Sequence, residues 1–217
     1  MRHKTNNHAL IAYTSPASEV SEQYRIIQTN LFYTTVDHPV KTILVTSTAD
    51  GEGKTTLLCN LGISYAEIGK RVLLVDANFR RPMLHRIMGG KNVQGLAQGL
   101  MNPALLLQAV VDTSIPNLKL LPSGMETANP SKLLSAGLEQ ALKELSKHFD
   151  LVLVDSPSLA SVSDSQVAAA CCDGVVLVVR YGRIKQASVH KTVEKLKLVK
   201  ARILGTVISF RPRHEQR

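Results

Sequence analysis

Short runs dominated by apolar residues recur at 43–45, 72–75, 118–121, 151–154, 175–179 and 203–208. Runs of this length, rich in Val, Leu and Ile, suit strands buried on both faces. Most are separated by segments whose apolar residues keep helical spacing, at 55–68, 131–148, 165–171 and 185–199, and a further such segment, 18–35, precedes the first run. In 131–148 the stripe is Leu133, Leu134, Leu138, Leu142 and Leu145. Strands alternating with helices predict an α/β fold, a doubly wound, mostly parallel sheet with helices on both faces. Ligands then belong at the carboxyl ends of the strands. With 217 residues and 44% hydrophobic content, one sizeable core suffices. The expected layout is a segment 1–17 that is flexible or lies across the surface, a single domain 18–210 and a basic tail 211–217. Glycines and small residues mark 89–102 and 121–129 as loops at the active face.

The first predicted strand leads into Ser47-Thr48-Ala49-Asp50-Gly51-Glu52-Gly53-Lys54-Thr55-Thr56, after which Leu57, Leu58 and Leu61 start a helix. Strand, glycine-bearing loop and helix start are the context of a phosphate cradle. Gly51 and Gly53 let the backbone approach phosphate oxygens, and backbone N–H groups along 51–56 point inward at a helix start. Lys54 adds a cation, and the Thr55 hydroxyl is expected on Mg²⁺. Residues 50–56 (Asp50, Gly51, Glu52, Gly53, Lys54, Thr55 and Thr56) are therefore the expected nucleotide-binding segment. In the usual G-x-x-x-x-G-K-[ST] spacing the first glycine falls at position 48, where this chain has Thr48, so the loop is a variant.

Two further predicted strands end in an aspartate, Leu73-Leu74-Val75-Asp76 and Leu151-Val152-Leu153-Val154-Asp155. Beside a phosphate loop, acids at that edge lie where a metal and the γ-phosphate meet. Asp155 takes the metal-holding position, and Asp76 lies nearer an attacking hydroxyl that needs a base or an orienting group. Lys54, Asp76 and Asp155 are the expected catalytic residues, with Thr55, Asp76 and Asp155 around the metal.

Charge changes the picture only once it is located. Residues 1–179 hold 15 basic and 15 acidic side chains, whereas 180–217 hold 11 basic and 2 acidic, so the whole excess of +9 is C-terminal. Lys191, Lys195, Lys197 and Lys200 flank Val189, Val193, Leu196 and Val199, as on a solvated helix face; an anionic membrane or nucleic acid are the other readings. Cys59, Cys171 and Cys172 lack metal-ligand spacing and read as reduced core thiols. The seven histidines show no metal spacing either. Without an apolar run near ~20 residues, a soluble intracellular chain is expected.

Downstream of Asp76 stands Ala77-Asn78-Phe79-Arg80-Arg81-Pro82. Together with the phosphate loop, Leu-Val-Leu-Val-Asp-Ser-Pro at 151–157 and Ser21-Glu22-Gln23-Tyr24-Arg25 upstream, this resembles the bacterial tyrosine kinases of capsule and exopolysaccharide synthesis, the cytoplasmic CpsD/CapB type of P-loop NTPase. The resemblance extends through Leu-Pro-Ser-Gly at 121–124, Asn129-Pro130-Ser131 and Val178-Val179-Arg180. It implies ATP with Mg²⁺, a three-layer α/β/α fold and transfer of the γ-phosphoryl group to tyrosine of this or other proteins. It also implies a cytoplasmic protein held at the inner face of the plasma membrane by the cytoplasmic tail of a membrane polysaccharide co-polymerase, its chain-length regulator. Septum-placement and partition ATPases carry a lysine where this chain has Ala49, so a nucleic-acid partner is not expected, though a partition-type ATPase using the basic C-terminus on DNA or lipid is a further reading.

Three departures stand out. The family's Asp-x-Asp appears as Asp76-Ala77-Asn78, one negative charge short. Its Glu-x-x-Arg-x-x-Arg helix pattern, tied to homo-oligomer assembly, appears as Glu22-x-x-Arg25-x-x-Gln28, leaving Glu22 and Arg25 as interface candidates. The C-terminal tyrosine cluster is absent, the last tyrosine being Tyr181, so substrates are other proteins or scattered tyrosines such as Tyr13 and Tyr33. An alternative is an ATP-binding regulatory partner with weakened catalysis.

Overall fold

The structure, a computed structural model, describes residues 9–160 and 162–210. In chain order its elements are α1 (Ile11–Thr14), α2 (Glu19–Thr34), β1 (Thr42–Ser47), α3 (Lys54–Glu67), β2 (Val72–Asp76), α4 (Leu84–Ile87) and α5 (Leu96–Met101). Then follow β3 (Val111–Asp112), β4 (Leu118–Leu121), α6 (Pro130–His148), β5 (Leu151–Asp155), α7 (Asp164–Cys171), β6 (Gly174–Arg180), α8 (Gln186–Leu198) and β7 (Ile203–Ser209). The strands form a 7-stranded sheet in the order β3-β4-β2-β5-β1-β6-β7. Every pairing is parallel except that of β3 with β4.

All positions of β1, β2 and β5 are buried, which is why their sequences run apolar without alternating. One face packs Ile43, Val45, Leu74 and Leu153 against Leu57, Leu58 and Leu61 of α3. The other packs Leu44, Leu73, Val152 and Val154 against Leu134, Leu138, Leu142 and Leu145 of α6, with Leu196 of α8. At roughly 1.5–3 kcal/mol for each large apolar side chain, that stripe is what holds α6 to the sheet. Asn129 starts α6: its side-chain oxygen accepts from the Lys132 N–H at 3.2 Å, and Pro130 supplies the first helical residue.

Two expectations need correction. The segment 1–17 is not a flexible one in its described part: Leu10 and Ala12 are buried, α1 packs on α3, and the Ala12 N–H donates to Asn60 Oδ1 at 2.9 Å. Residues 1–8 and the basic tail 211–217 lie outside the described residues. The stretch 89–102, read as loop, contains α5, because Leu96 and Ala97 are buried against the second core. The two-residue strand β3 is too short to leave a pattern. Among the described residues no helix is long and apolar enough to cross a membrane, and the three cysteines are free, Cys59 and Cys172 being buried.

Candidate functional site

The topology brings three strand ends together. Asp155 pairs in register with Val45 of β1 on one side and with Asp76 of β2 on the other. The loop after β1 therefore lies next to both carboxylates at the carboxyl edge of the sheet. Gly51 and Gly53 have φ of 77° and 88°, a region that strains any residue with a Cβ. Gly53 forms the N-cap of α3, and a Cβ there would stand 3.3 Å from the Phe210 ring. Position 48 has no positive φ, so the backbone tolerates Thr48 where the common motif has glycine.

The Glu52 side chain does not face the cradle. Its carboxylate is buried and accepts from the Ala49 N–H at 2.7 Å and the Arg180 N–H at 3.0 Å, while the Ser209 hydroxyl donates to the Glu52 carbonyl at 2.7 Å. Glu52 thus fastens the loop to the ends of β6 and β7, and only its backbone N–H remains for a phosphate. The Arg180 guanidinium lies 4.3 Å from the centre of the Phe210 ring, which extends the same clasp. Nothing local in the sequence announces this partnership, since Glu52 and Arg180 stand 128 residues apart.

Lys54 opens α3, nearly buried, with its ammonium 3.9 Å from Asp50 Oδ1. The Thr55 hydroxyl donates to Asp155 Oδ2 at 2.8 Å. Asp155 Oδ1 is buried and has no hydrogen-bond partner among the described residues. An orphaned buried carboxylate oxygen beside a hydroxyl is a hard-oxygen donor pair, which fits Mg²⁺ completing its shell with water and phosphate oxygens. Burial pushes the Asp155 carboxyl up to about 6, while the Lys54 charge, the Thr55 hydroxyl and the Ser156 N–H pull it down.

Asp76 is placed differently. Its Oδ1 accepts from the Asn78 N–H at 3.1 Å, and its Oδ2 accepts from the N–H groups of Met83 at 3.0 Å and Leu84 at 3.1 Å. The carboxylate therefore shapes the turn that carries Asn78, Arg80 and Arg81, and caps the start of α4. Burial and then the Asp155 charge raise it to about 7, against the pull of those N–H donors. Asn78 acts within the same turn, its Oδ1 accepting from the Arg81 N–H at 3.3 Å. The Arg80 Nε donates to Asp164 Oδ2 at 2.9 Å, and the Ser131 hydroxyl donates to the same buried carboxylate. That cluster joins the turn to the starts of α6 and α7.

Of the residues expected at the site, Asp50, Gly51, Gly53, Lys54, Thr55, Asp76 and Asp155 converge at this edge, with Thr56 third in α3 behind them, its carbonyl accepting from Asn60 Nδ2 at 2.8 Å. Glu22 and Arg25 lie elsewhere, on α2. There Arg25 Nε donates to Glu22 Oε2 at 2.7 Å and its Nη1 to the Pro16 carbonyl at 3.0 Å.

Residues 40–208 match the AAA domain family. The chain is 36% identical to a tyrosine-protein kinase of Bacillus subtilis, YwqD, across 92% of this chain and 85% of that protein. It belongs to the bacterial tyrosine-protein kinase family. The structure of the kinase domain of the Escherichia coli tyrosine kinase ETK superposes on it with a TM-score of 0.92 at 26% identity, covering 100% of this chain and 86% of that one. More distantly, the septum site-determining protein MinD of Pyrococcus horikoshii, solved with Mg-ADP, gives a TM-score of 0.66 at 26% identity over 77% of this chain and 69% of that one. The fold is that of P-loop nucleotide-binding kinases of this family.

Proposed function

We propose that this member of the family is an ATP-dependent protein-tyrosine kinase regulating capsular or exopolysaccharide synthesis, with its phosphoryl-transfer site at the edge formed by β1, β2 and β5. The observation that carries the reading is the convergence of Lys54, Thr55, Asp76 and Asp155, with one buried Asp155 oxygen unpartnered among the described residues. Phosphoryl transfer asks a protein for positioning and charge neutralisation more than for covalent chemistry. The N–H groups after Gly51 and the Lys54 ammonium hold the phosphates. Thr55 and Asp155 would hold Mg²⁺, which would supply charge neutralisation for phosphoryl transfer. Asp76, raised towards neutrality by burial, orients the tyrosine hydroxyl and takes its proton through the remaining lone pair of Oδ1. The clasp from Glu52 to Arg180 and Ser209 keeps the loop in its binding shape before nucleotide arrives.

The partner consistent with this reading is the cytoplasmic tail of a membrane-embedded chain-length regulator, which would place the protein at the inner face of the membrane. Protein tyrosines are the substrates; Tyr33 is 71% exposed and Tyr13 48% exposed, so both are open to a neighbouring kinase. Glu22 and Arg25, paired on the surface of α2, remain available for a contact between copies.

Asn78 favours a second reading, an ATP-binding regulator that has lost phosphotransfer, because it leaves the turn intact while supplying no second negative charge. One experiment separates the two. Purified protein is incubated with Mg·ATP, with and without the regulator tail, and phosphotyrosine is mapped by mass spectrometry. Phosphotyrosine that disappears in Lys54→Ala supports the kinase; ATP binding without phosphotyrosine in either condition contradicts it.

A further inference from the structure

The two arginines of the turn after β2 are held in opposite ways. Arg80 is tied to the buried Asp164 carboxylate, which the Ser131 hydroxyl also satisfies. Arg81 has an 80% exposed side chain, and its Nη1 stands 3.7 Å from Asp50 Oδ2. The other oxygen of the same carboxylate, Oδ1, lies 3.9 Å from the Lys54 ammonium. Both separations exceed hydrogen-bonding distance, so Asp50 holds each cation loosely. Two cations from different elements thus share one half-exposed carboxylate at the mouth of the phosphate loop.

The Arg81 backbone is fixed even though its side chain is not. Its N–H is shared between the Asn78 carbonyl at 3.2 Å and Asn78 Oδ1 at 3.3 Å, and Pro82 restricts the chain immediately afterwards. The guanidinium is therefore delivered to the loop from an anchored root. A carboxylate offers a guanidinium the same paired acceptor oxygens as a phosphate does. Lys54 already belongs to the proposed phosphate site, so whatever anion shares Lys54 with Arg81 marks where an outer phosphate would lie.

We propose that Arg81 is a specificity residue that contacts the γ-phosphate, and that Asp50 is a placeholder occupying Arg81 and Lys54 until a triphosphate displaces it. The inference rests on the nucleotide site proposed above. It predicts discrimination: ATP reaches Arg81 and ADP does not.

The test is calorimetric titration of the full chain with Mg·ADP and with the Mg complex of a non-hydrolysable ATP analogue. Arg81→Ala is expected to weaken the analogue about tenfold, the scale of one charge-assisted contact, and to change ADP by no more than about twofold. Arg81→Lys, which keeps the charge without the fork, should recover part of the loss. Asp50→Asn should tighten the analogue severalfold. An Arg81→Ala variant that weakens both nucleotides alike, or neither, overturns the assignment of Arg81, and an Asp50→Asn variant with unchanged analogue affinity overturns the placeholder. Because Arg81 is exposed, unchanged melting of the nucleotide-free variant is expected and separates contact loss from misfolding. Should the wild type bind neither nucleotide, the nucleotide site itself fails. If it binds both and Lys54→Ala binds neither, while Arg81→Ala leaves the ratio intact, only the inference on Arg81 fails.

Discussion

Asp76 and Asp155 end adjacent parallel strands of nearly the same composition, stand opposite each other in register, and are both completely buried. Their surroundings nevertheless assign them different work. Asp155 takes the Thr55 hydroxyl on Oδ2, feels the Lys54 charge and the Ser156 N–H, and leaves Oδ1 without a hydrogen-bond partner among the described residues, whereas Asp76 takes three backbone N–H groups across both oxygens. A buried carboxylate oxygen left empty is costly unless something charged completes it, and a carboxylate that holds three N–H donors already has a structural task. On the function proposed above, the same strand-end acid would be a metal ligand in one case and is the keystone of a turn in the other, with proton transfer proposed as its second task.

The largest expected effect breaks the metal side of this comparison. Asp155→Asn keeps an acceptor for Thr55 but removes the charge on the empty oxygen, and should lower tyrosine phosphorylation about 100-fold or more at fixed Mg²⁺, read by phosphotyrosine formation with Mg·ATP. Fold should be retained, as judged by melting. Asp76→Ala breaks the other side. It strips the partners from the Asn78, Met83 and Leu84 N–H groups, and a loss of about 2–4 kcal/mol in urea unfolding is expected alongside lost activity. If Asp76→Ala unfolded at the wild-type midpoint, the keystone role would be wrong.

A third expectation uses the proximity of the two acids. With metal absent, the folded state raises Asp76 from 3.8 to about 7, so the folded protein binds more protons than the unfolded chain in that window. Stability contributed by this group is therefore full below about pH 4 and falls as pH rises towards 7. His85, whose pKa burial lowers from 6.5, acts in the opposite sense. Comparing wild type with Asp155→Asn isolates the carboxyl pair: the decline in melting temperature from pH 5 to pH 7.5 should be smaller in the variant, and saturating Mg²⁺ should reduce it in the wild type. The smallest effect sharpens the comparison. Asn78→Asp restores a second charge next to Asp76 and should raise phosphotransfer severalfold if that charge is what the site lacks. An unchanged or lower rate would remove Asn78 as a brake.

Much of this arrangement is legible from the chain, for physical reasons particular to each part. The strands read correctly because Val72–Asp76 and Leu151–Asp155 are buried on both faces and so admit only apolar residues until the edge. The helices α3 and α6 read within a residue or so because their buried faces repeat over several turns. Elements α4, α5 and β3 are too short for any period to emerge. Position alone places Glu52 among nucleotide ligands, but its partners come from β6 and β7, which no local pattern encodes. The division between Asp76 and Asp155 was hidden for the same reason: it depends on which N–H groups the turn at 77–84 presents, not on the strands themselves.

The most direct measurement is the gain in ATP affinity that saturating Mg²⁺ produces, in wild type, Asp155→Asn and Asp76→Asn. A gain of about tenfold or more is expected in wild type, nearly abolished in Asp155→Asn and retained to within about threefold in Asp76→Asn. An Asp155→Asn protein that keeps the gain, or an Asp76→Asn protein that loses it as completely, would contradict the division of labour between the two strand ends.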